Sequence, residues 1–154
     1  KMKIPPEYRP SEDPELTNGS SLYITSLTKE EEREIFAPEN QKEGSEPLSP
    51  AQYGIFIHRY PNDKTSGLSD WFEKEYSDIS DADPSEIETQ LIQNNQQEFL
   101  FIYDTSGLSH QLSAAFKIYD NVCLLSTLTS TQEPSGMKYE FDLFKTFVFS
   151  AGVL

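Results

Sequence analysis

The chain has 154 residues, a usual size for one domain, and carries a formal net charge of −14 with a pI near 4.4. That charge repels phosphate, so it makes nucleic acid a poor partner and disfavours direct adhesion to anionic lipid. It attracts cations and basic protein surfaces, although acidity can also serve only to keep a domain in solution.

The N-terminal segment, residues 1–21, contains four prolines among charged residues and is typical of an extended linker. We therefore predict a linker over residues 1–21 and a single domain over residues 22–154. No apolar run reaches the roughly 18 residues needed to span a bilayer, and no signal peptide is recognisable. A membrane anchor, if there is one, is expected to precede Lys1.

The first half of the domain predicts two strands and two helices. Residues 22–27 and 53–60 are rich in β-branched and aromatic residues, which favours strands. Thr28 and Glu31 form a capping-box pattern at the start of a short helix. The acidic run at residues 30–34 is either the solvated side of that helix or a docking face for a basic partner. Apolar residues at helical spacing predict a second helix over residues 68–76.

The second half predicts a β-meander closed by a helix. Strands are predicted over residues 87–93, 98–103, 111–119 and 122–129, because turn-forming residues separate these segments and the third of them alternates apolar with polar residues. A helix over residues 138–146 is expected to follow, because Met137, Phe141, Phe144 and Val148 lie at helical spacing, with Leu143 and Phe147 widening the apolar stripe. Residues 147–149 are predicted as a short extended tail. The expected fold is α+β, with an antiparallel sheet of about six strands covered by helices.

The sequence offers few residues for a disulfide, a cysteine-rich metal site or a phosphate-binding site. Cys123 is the only cysteine, which excludes an internal disulfide and a cysteine-rich zinc site. It lies in the apolar run 122–125 and is predicted to be a small buried hydrophobe. The chain has no glycine-rich phosphate-binding loop, so we expect no cofactor.

Two histidines are the candidates for acid–base catalysis. His58 lies in an apolar strand, where a structural side chain is more common than a catalytic base. His110 follows Ser109 directly, and adjacency in sequence is not the geometry of a serine–histidine–acid triad. Hydrolase chemistry is therefore not expected.

A cluster of carboxylates at residues 78–86 is the best candidate for metal chemistry. The carboxylates that calcium would use are Asp78, Asp81, Asp83 and Glu86. The segment departs from an EF-hand loop, because it contains a proline and lacks both the turn glycine and the distant bidentate glutamate. A solvated connection between two elements is the alternative.

Tyrosines give the main indication that the domain binds a partner. The chain has five in or next to its predicted strands, Tyr23, Tyr53, Tyr60, Tyr103 and Tyr119. These are more than one core accommodates, and tyrosine is well suited to interfaces. We single out Tyr53, Tyr60, Tyr103 and Tyr119 as candidate binding residues.

The order of elements is similar to that of a known family. A strand and polar turn at residues 54–62 lead to the Leu-Ser-Asp-Trp-Phe segment at 68–72. Several antiparallel strands follow, and the Phe-Asp-Leu-Phe-Lys-Thr-Phe-Val-Phe segment at 141–149 closes the chain. Over residues 22–149 this pattern resembles the PsbP-like group of small bacterial envelope domains. The resemblance implies an α/β/α sandwich in an extracytoplasmic protein, tethered by a lipid or a transmembrane helix, and it transfers no catalytic residue.

The function expected from the sequence is non-catalytic binding, in a cell-envelope protein of uncharacterised role. The partner expected is a protein, recognised by an acidic surface that bears tyrosines and that favours a basic partner. The alternatives are an enzyme of unrecognised type that uses Asp104, His110 or the carboxylates at 78–86, a calcium-binding module, and a structural spacer.

Overall fold

One antiparallel sheet forms the centre of the computed structural model. The structure describes residues 4, 6–11, 21–37, 52–61, 67–76, 84–106, 110–129 and 134–150. The strands in these ranges are β1 (Arg9–Pro10), β2 (Ser21–Thr25), β3 (Gly54–Pro61), β4 (Ile87–Asn94), β5 (Gln97–Asp104), β6 (Gln111–Ile118) and β7 (Asn121–Leu128). Their order across the sheet is β1-β2-β3-β7-β6-β5-β4, and all neighbours are antiparallel.

Three α-helices accompany the sheet in the described residues. They are α1 (Lys29–Phe36), α2 (Leu68–Trp71) and α3 (Pro134–Ser150), and a π-helical turn (Phe72–Tyr76) continues α2. A 3-10 turn (Pro84–Glu86) precedes β4. The predicted capping box at the start of α1 is confirmed: Thr28 Oγ1 accepts from the Glu31 amide at 3.2 Å, and the Thr28 amide donates to the Glu31 carboxylate at 2.9 Å.

The central strands β5, β6 and β7 are buried on both sides, because apolar side chains point to both faces of the sheet. On one face Phe101, Leu112 and Leu125 pack in a cluster with Phe144 and Val148 of α3. On the other face, side chains from β5, β6 and β7 pack with α2 and the turn that follows it; this cluster comprises Leu100, Ile102, Ala115, Val122, Leu124, Leu68, Trp71 and Tyr76. The α+β class and its antiparallel sheet are therefore confirmed.

The described sheet has seven strands rather than about six. The additional strand is β1, which pairs Arg9 with Thr25 at the edge of the sheet, inside the segment predicted as a linker. An ion pair anchors it, with Arg9 Nη2 at 2.5 Å from Glu32 Oε2, and Ser11 donates to the other oxygen of that carboxylate. Glu32 is only 7% exposed, so one member of the acidic run in α1 holds β1 in place.

The C-terminal segment corrects the predicted extended tail at 147–149. Helix α3 continues to Ser150, since Val148 follows Phe144 by one helical turn and both side chains are buried on the same cluster. Phe147 and Phe149 also pack against that cluster as parts of the helix. Leu143 is 52% exposed, so it does not widen the apolar stripe as predicted.

Candidate functional site

The five tyrosines noted in or next to the predicted strands do not form one surface. Tyr23, which was not among the candidate binding residues, is fully buried and belongs to the core. The Gly54 backbone passes so close that a Cβ there would lie 2.7 Å from the Tyr23 ring, and this contact encloses the tyrosine. Tyr53 packs edge-on against Phe36, with ring centres 5.9 Å apart, and is half-buried.

The remaining tyrosines occupy different places on the sheet. Tyr60 packs with Trp71 on the α2 face, whereas Tyr103 packs on the α3 face. Tyr119 is 95% exposed in the turn between β6 and β7. Tyr103 lines a concave surface between β4 and α3.

The proposed calcium ligands lie largely outside the described residues. Asp78, Asp81 and Asp83 fall in the segment that the structure does not describe. Glu86 is exposed, and its backbone carbonyl accepts from the Thr105 amide at 3.0 Å. Within the described ranges, no three metal-ligating side chains come together. Calcium binding at residues 78–86 stays a prediction.

His58 lies in β3 as a half-buried side chain. Its Nδ1 is 2.8 Å from Ser21 Oγ, and its ring stacks on Phe56. Burial lowers the pKa of His58. Among the residues that the structure describes, no carboxylate hydrogen-bonds His58, so the Ser21–His58 pair lacks there the acid that orients the imidazole of a catalytic triad.

Cys123 is confirmed as a small buried hydrophobe in β7. Burial raises the pKa of its thiol, and the positive charge of Arg59 opposes that shift. A buried thiol with a raised pKa is protonated at neutral pH and is a poor nucleophile.

The β4–β5 hairpin builds a site that combines a cavity with polar groups. Asn95 and Gln96 form its two-residue turn, and both have positive φ, at 47° and 67°. Two left-handed residues are the geometry of a type I′ turn, whose twist matches that of paired strands. The turn thus fixes which residues of β4 and β5 face each other.

The register of this hairpin assigns the side chains of β4 to the two faces of the sheet. Glu88 is opposite Tyr103, and Gln90 is opposite Phe101, so both β4 side chains project to the α3 face. Thr89 is opposite Ile102 and projects to the α2 face. Alternate residues of β4 therefore present different chemistry to the two faces.

An open groove lies on the α3 face between this hairpin and the helix. Its volume is about 460 Å³, within the usual range of ligand sites. Phe101, Tyr103 and Leu112 form the floor, and Lys138 and Phe141 of α3 form one wall. Residues 88–90 of β4 form the opposite wall. We call this depression the β4–α3 groove.

Aromatic contacts hold the helical wall of the groove in place. The ring centres of Phe101 and Phe141 lie 5.6 Å apart, edge to face, and those of Phe101 and Phe144 lie 6.4 Å apart. Lys145 lies over the outer side of the Phe141 ring at 5.2 Å. One turn before Phe141 the wall is formed by Lys138, an exposed residue, and the space above the floor stays open there.

A phenol and an imidazole meet at the floor of the groove. Tyr103 Oη lies 2.9 Å from His110 Nδ1, in a half-buried pair. Burial raises the pKa of Tyr103, and the negative charges of Glu88 and Glu140 raise it further. The hydroxyl is therefore protonated at neutral pH and available for hydrogen bonding, and carboxylates dominate the charge around it.

Sequence reasoning identified Tyr103 and His110 as separate candidates and missed the groove that joins them to Leu112 and Phe141. Because alternate residues of a strand point to opposite faces, the sequence could place Glu88 and Gln90 on one face of β4 and Thr89 on the other. It could not predict where α3 crosses the sheet. Asp104, the other acid considered for catalysis, accepts from the Ser106 amide at 2.9 Å in a local turn.

Comparison with models of known protein families and with characterised proteins gave no match. None of the helices in the described part of the chain has both the length and the apolar character needed to cross a bilayer.

Proposed function

We propose that this chain is a non-catalytic binding domain that recognises a basic protein partner at the β4–α3 groove. The observation that carries the proposal is the groove itself, which combines an apolar floor with a polar wall in a volume of about 460 Å³. Sites of this kind, mostly apolar with a few directed polar groups, are the usual form of a binding site.

Charge supports a basic partner. The chain carries a net charge of −14, and two carboxylates, Glu88 and Glu140, act on the hydroxyl of Tyr103 at the groove floor. Lys138 is the one cation among the lining residues. A negative field accelerates encounter with a positive partner and discourages acidic ones.

The side chains of the groove support binding rather than bond-making chemistry. A nucleophilic site needs a nucleophile with a general base beside it. His110 meets a phenol whose pKa is raised by burial, and a protonated phenol is a weak nucleophile. Glu88 and Lys138 lie on opposite walls of an open groove, a situation in which water competes for both.

The wider proposal is that the domain is a PsbP-like α/β/α sandwich in an extracytoplasmic protein held by a lipid or a membrane helix. Its support is the resemblance over residues 22–149, together with helices that pack against both faces of one antiparallel sheet. Sequencing the gene upstream of Lys1 tests the anchor directly, because a lipoprotein signal or an apolar helix must be encoded there.

A paired-variant pull-down tests the binding function. Gln90→Trp places an indole in the groove, and Gln93→Trp, at a position of the same strand outside the groove lining, places the same indole on the opposite face. We expect the unmodified chain and Gln93→Trp to retain a basic protein from a lysate of the source organism at low ionic strength and to release it at about 0.5 M salt. Gln90→Trp is expected to lose that protein. Equal retention by all three chains, or no retention by any, would contradict the proposal.

A further inference from the structure

Among the described strands, β4 has no neighbour along its outer edge, which lies beside the groove. β4 is the last strand of the described sheet, and its eight residues all pair with β5 on the inner side without a bulge. No strand in the described ranges pairs with its outer side. In an antiparallel edge strand, every second residue directs its N–H and C=O groups outward.

The two edges of the sheet differ in how they are protected. At the other edge, β1 is two residues long, contains Pro10 and is anchored by the Arg9–Glu32 ion pair. Such short, proline-containing edges resist pairing with other chains. β4 is four times longer and has no proline, no lysine and a single charged residue, Glu88. It lacks the features that usually block strand addition.

From these observations we propose that the partner segment binds as an added strand along the outer edge of β4, with every second side chain inserted in the β4–α3 groove. This proposal rests on the proposed function and specifies the form of its ligand. Backbone hydrogen bonds to an edge, with pockets for alternate side chains, are an established mode of peptide recognition.

The dimensions agree with this mode. A strand on the edge lies about 4.8 Å from β4, and its same-face side chains repeat every ~6.6 Å. Residues 88–90 belong both to the edge and to the groove wall, so a strand paired there places its α3-face side chains beside Glu88 and Gln90, at the mouth of the groove. Its other side chains meet Leu91, which is 50% exposed and opposite Leu100 on the α2 face.

Charge defines the chemistry of the segment. Glu88 faces Lys138 across the groove, and Glu140, outside the lining, adds a second negative charge that acts on Tyr103, which favours lysine or arginine between the apolar positions of the ligand. A second copy of this chain is a poorer occupant, because it brings another charge of −14 to the same edge. We therefore commit to an extended, basic peptide segment with alternating apolar residues.

A peptide selection followed by a backbone scan tests the proposal. Random peptides of about eight residues, the length of β4, are selected on the immobilised unmodified chain, and each enriched peptide is then assayed on Gln90→Trp, where binding is expected to be lost. We expect enriched peptides to be basic, with apolar residues at every second position. Single N-methyl groups, which remove one backbone donor each, are expected to weaken binding about tenfold or more at alternate positions only.

Charge variants and three contrary outcomes complete the test. Glu88→Lys is expected to weaken the binding of the selected peptide about tenfold. Glu73→Lys, the same change on the α2 side, is expected to leave its affinity within about twofold.

Peptides that need Gln90 but show no alternating N-methyl effect would overturn strand addition and leave the groove as the binding site. Peptides indifferent to Gln90→Trp would overturn the groove proposal as well. The free chain could also form a stable dimer in sedimentation equilibrium that the unmodified selected peptides disrupt. That result would identify a second copy as the occupant of the edge and overturn the proposal of a basic segment.

Discussion

Tyr103 Oη lies 2.9 Å from His110 Nδ1, and this contact joins the end of β5 to the residue that precedes β6. The backbone carbonyl of His110 in turn accepts from the Thr129 amide at 2.8 Å, just beyond β7. The phenol at the groove floor is thereby connected to three neighbouring strands. A binding residue supported in this way keeps its geometry when a ligand enters.

The charge around the groove can be measured through Tyr103. Glu88→Gln is expected to lower the pKa of Tyr103, because the Glu88 carboxylate is one of the charges that raise it. The pKa should stay above the ordinary value of 10.0, since burial is the larger cause and is unchanged. Titration of ring-labelled tyrosine by NMR measures the shift. Glu98→Gln, in the same hairpin, is the control. An equal drop of the Tyr103 pKa in both variants would show that Glu88 is not a specific source of the charge that raises it.

The β4–β5 turn gives a second prediction, because the backbone of Gln96 has a φ of 67°. A side chain in the left-handed region costs about 1 kcal/mol, and glycine removes that cost. Gln96→Gly should therefore raise the free energy of unfolding by about 1 kcal/mol in urea denaturation. Gln93→Gly, inside β4, should lower it by a similar amount, about 1 kcal/mol. Destabilisation by Gln96→Gly would show that this turn is not type I′.

The ion pair at the opposite edge of the sheet gives a third prediction. Glu32→Gln removes the charge that receives Arg9 and Ser11, and Arg9 then loses its buried partner. We expect a loss of about 2 kcal/mol in the free energy of unfolding, the usual contribution of hydrogen bonds to charged groups. Glu30→Gln, on the exposed side of the same helix, should change it by less than about 0.5 kcal/mol. Equal effects of the two variants would mean that Glu32 does not anchor β1.

The pH dependence of stability should carry a contribution from His58. Burial lowers the pKa of His58 from its ordinary value of 6.5, so the unfolded chain takes up a proton before the folded one does. Folding stability therefore falls as the pH decreases below 6.5 and stops falling, for this group, once the folded-state pKa is passed. His58→Gln should reduce the slope of unfolding free energy against pH in that window. Parallel curves for the two chains would refute the contribution.

Local signals in the sequence were sufficient for much of the fold. The capping box at Thr28 and Glu31, and the turn residues between β4 and β5 and between β6 and β7, are short-range patterns, and both agree with the structure. The pairing of Arg9 with Glu32 joins residues far apart in the chain, so no local pattern could predict β1. The prediction of an extended tail was wrong for a different reason. Residues 146–149 are β-branched or aromatic, which favours a strand, but Val148 and its neighbours are buried against the core as part of α3.

The groove required tertiary information. Its floor comes from β5 and β6, its walls come from β4 and α3, and the sequence gives no direct measure of where a helix crosses a sheet. Tyr103 was a candidate for its residue type, in common with Tyr53, Tyr60 and Tyr119. What distinguishes it is its position opposite Glu88, which depends on the hairpin register.

The most direct test of the central claim is amide hydrogen exchange across β4, measured by NMR with and without a selected basic peptide. In the free chain, alternate amides of Ile87–Asn94 should exchange rapidly, because they point away from β5. Saturating peptide should slow those outward amides and leave the inward ones unchanged. Slowed exchange in Leu68–Trp71 and Phe72–Tyr76 with no change along β4 would contradict the account.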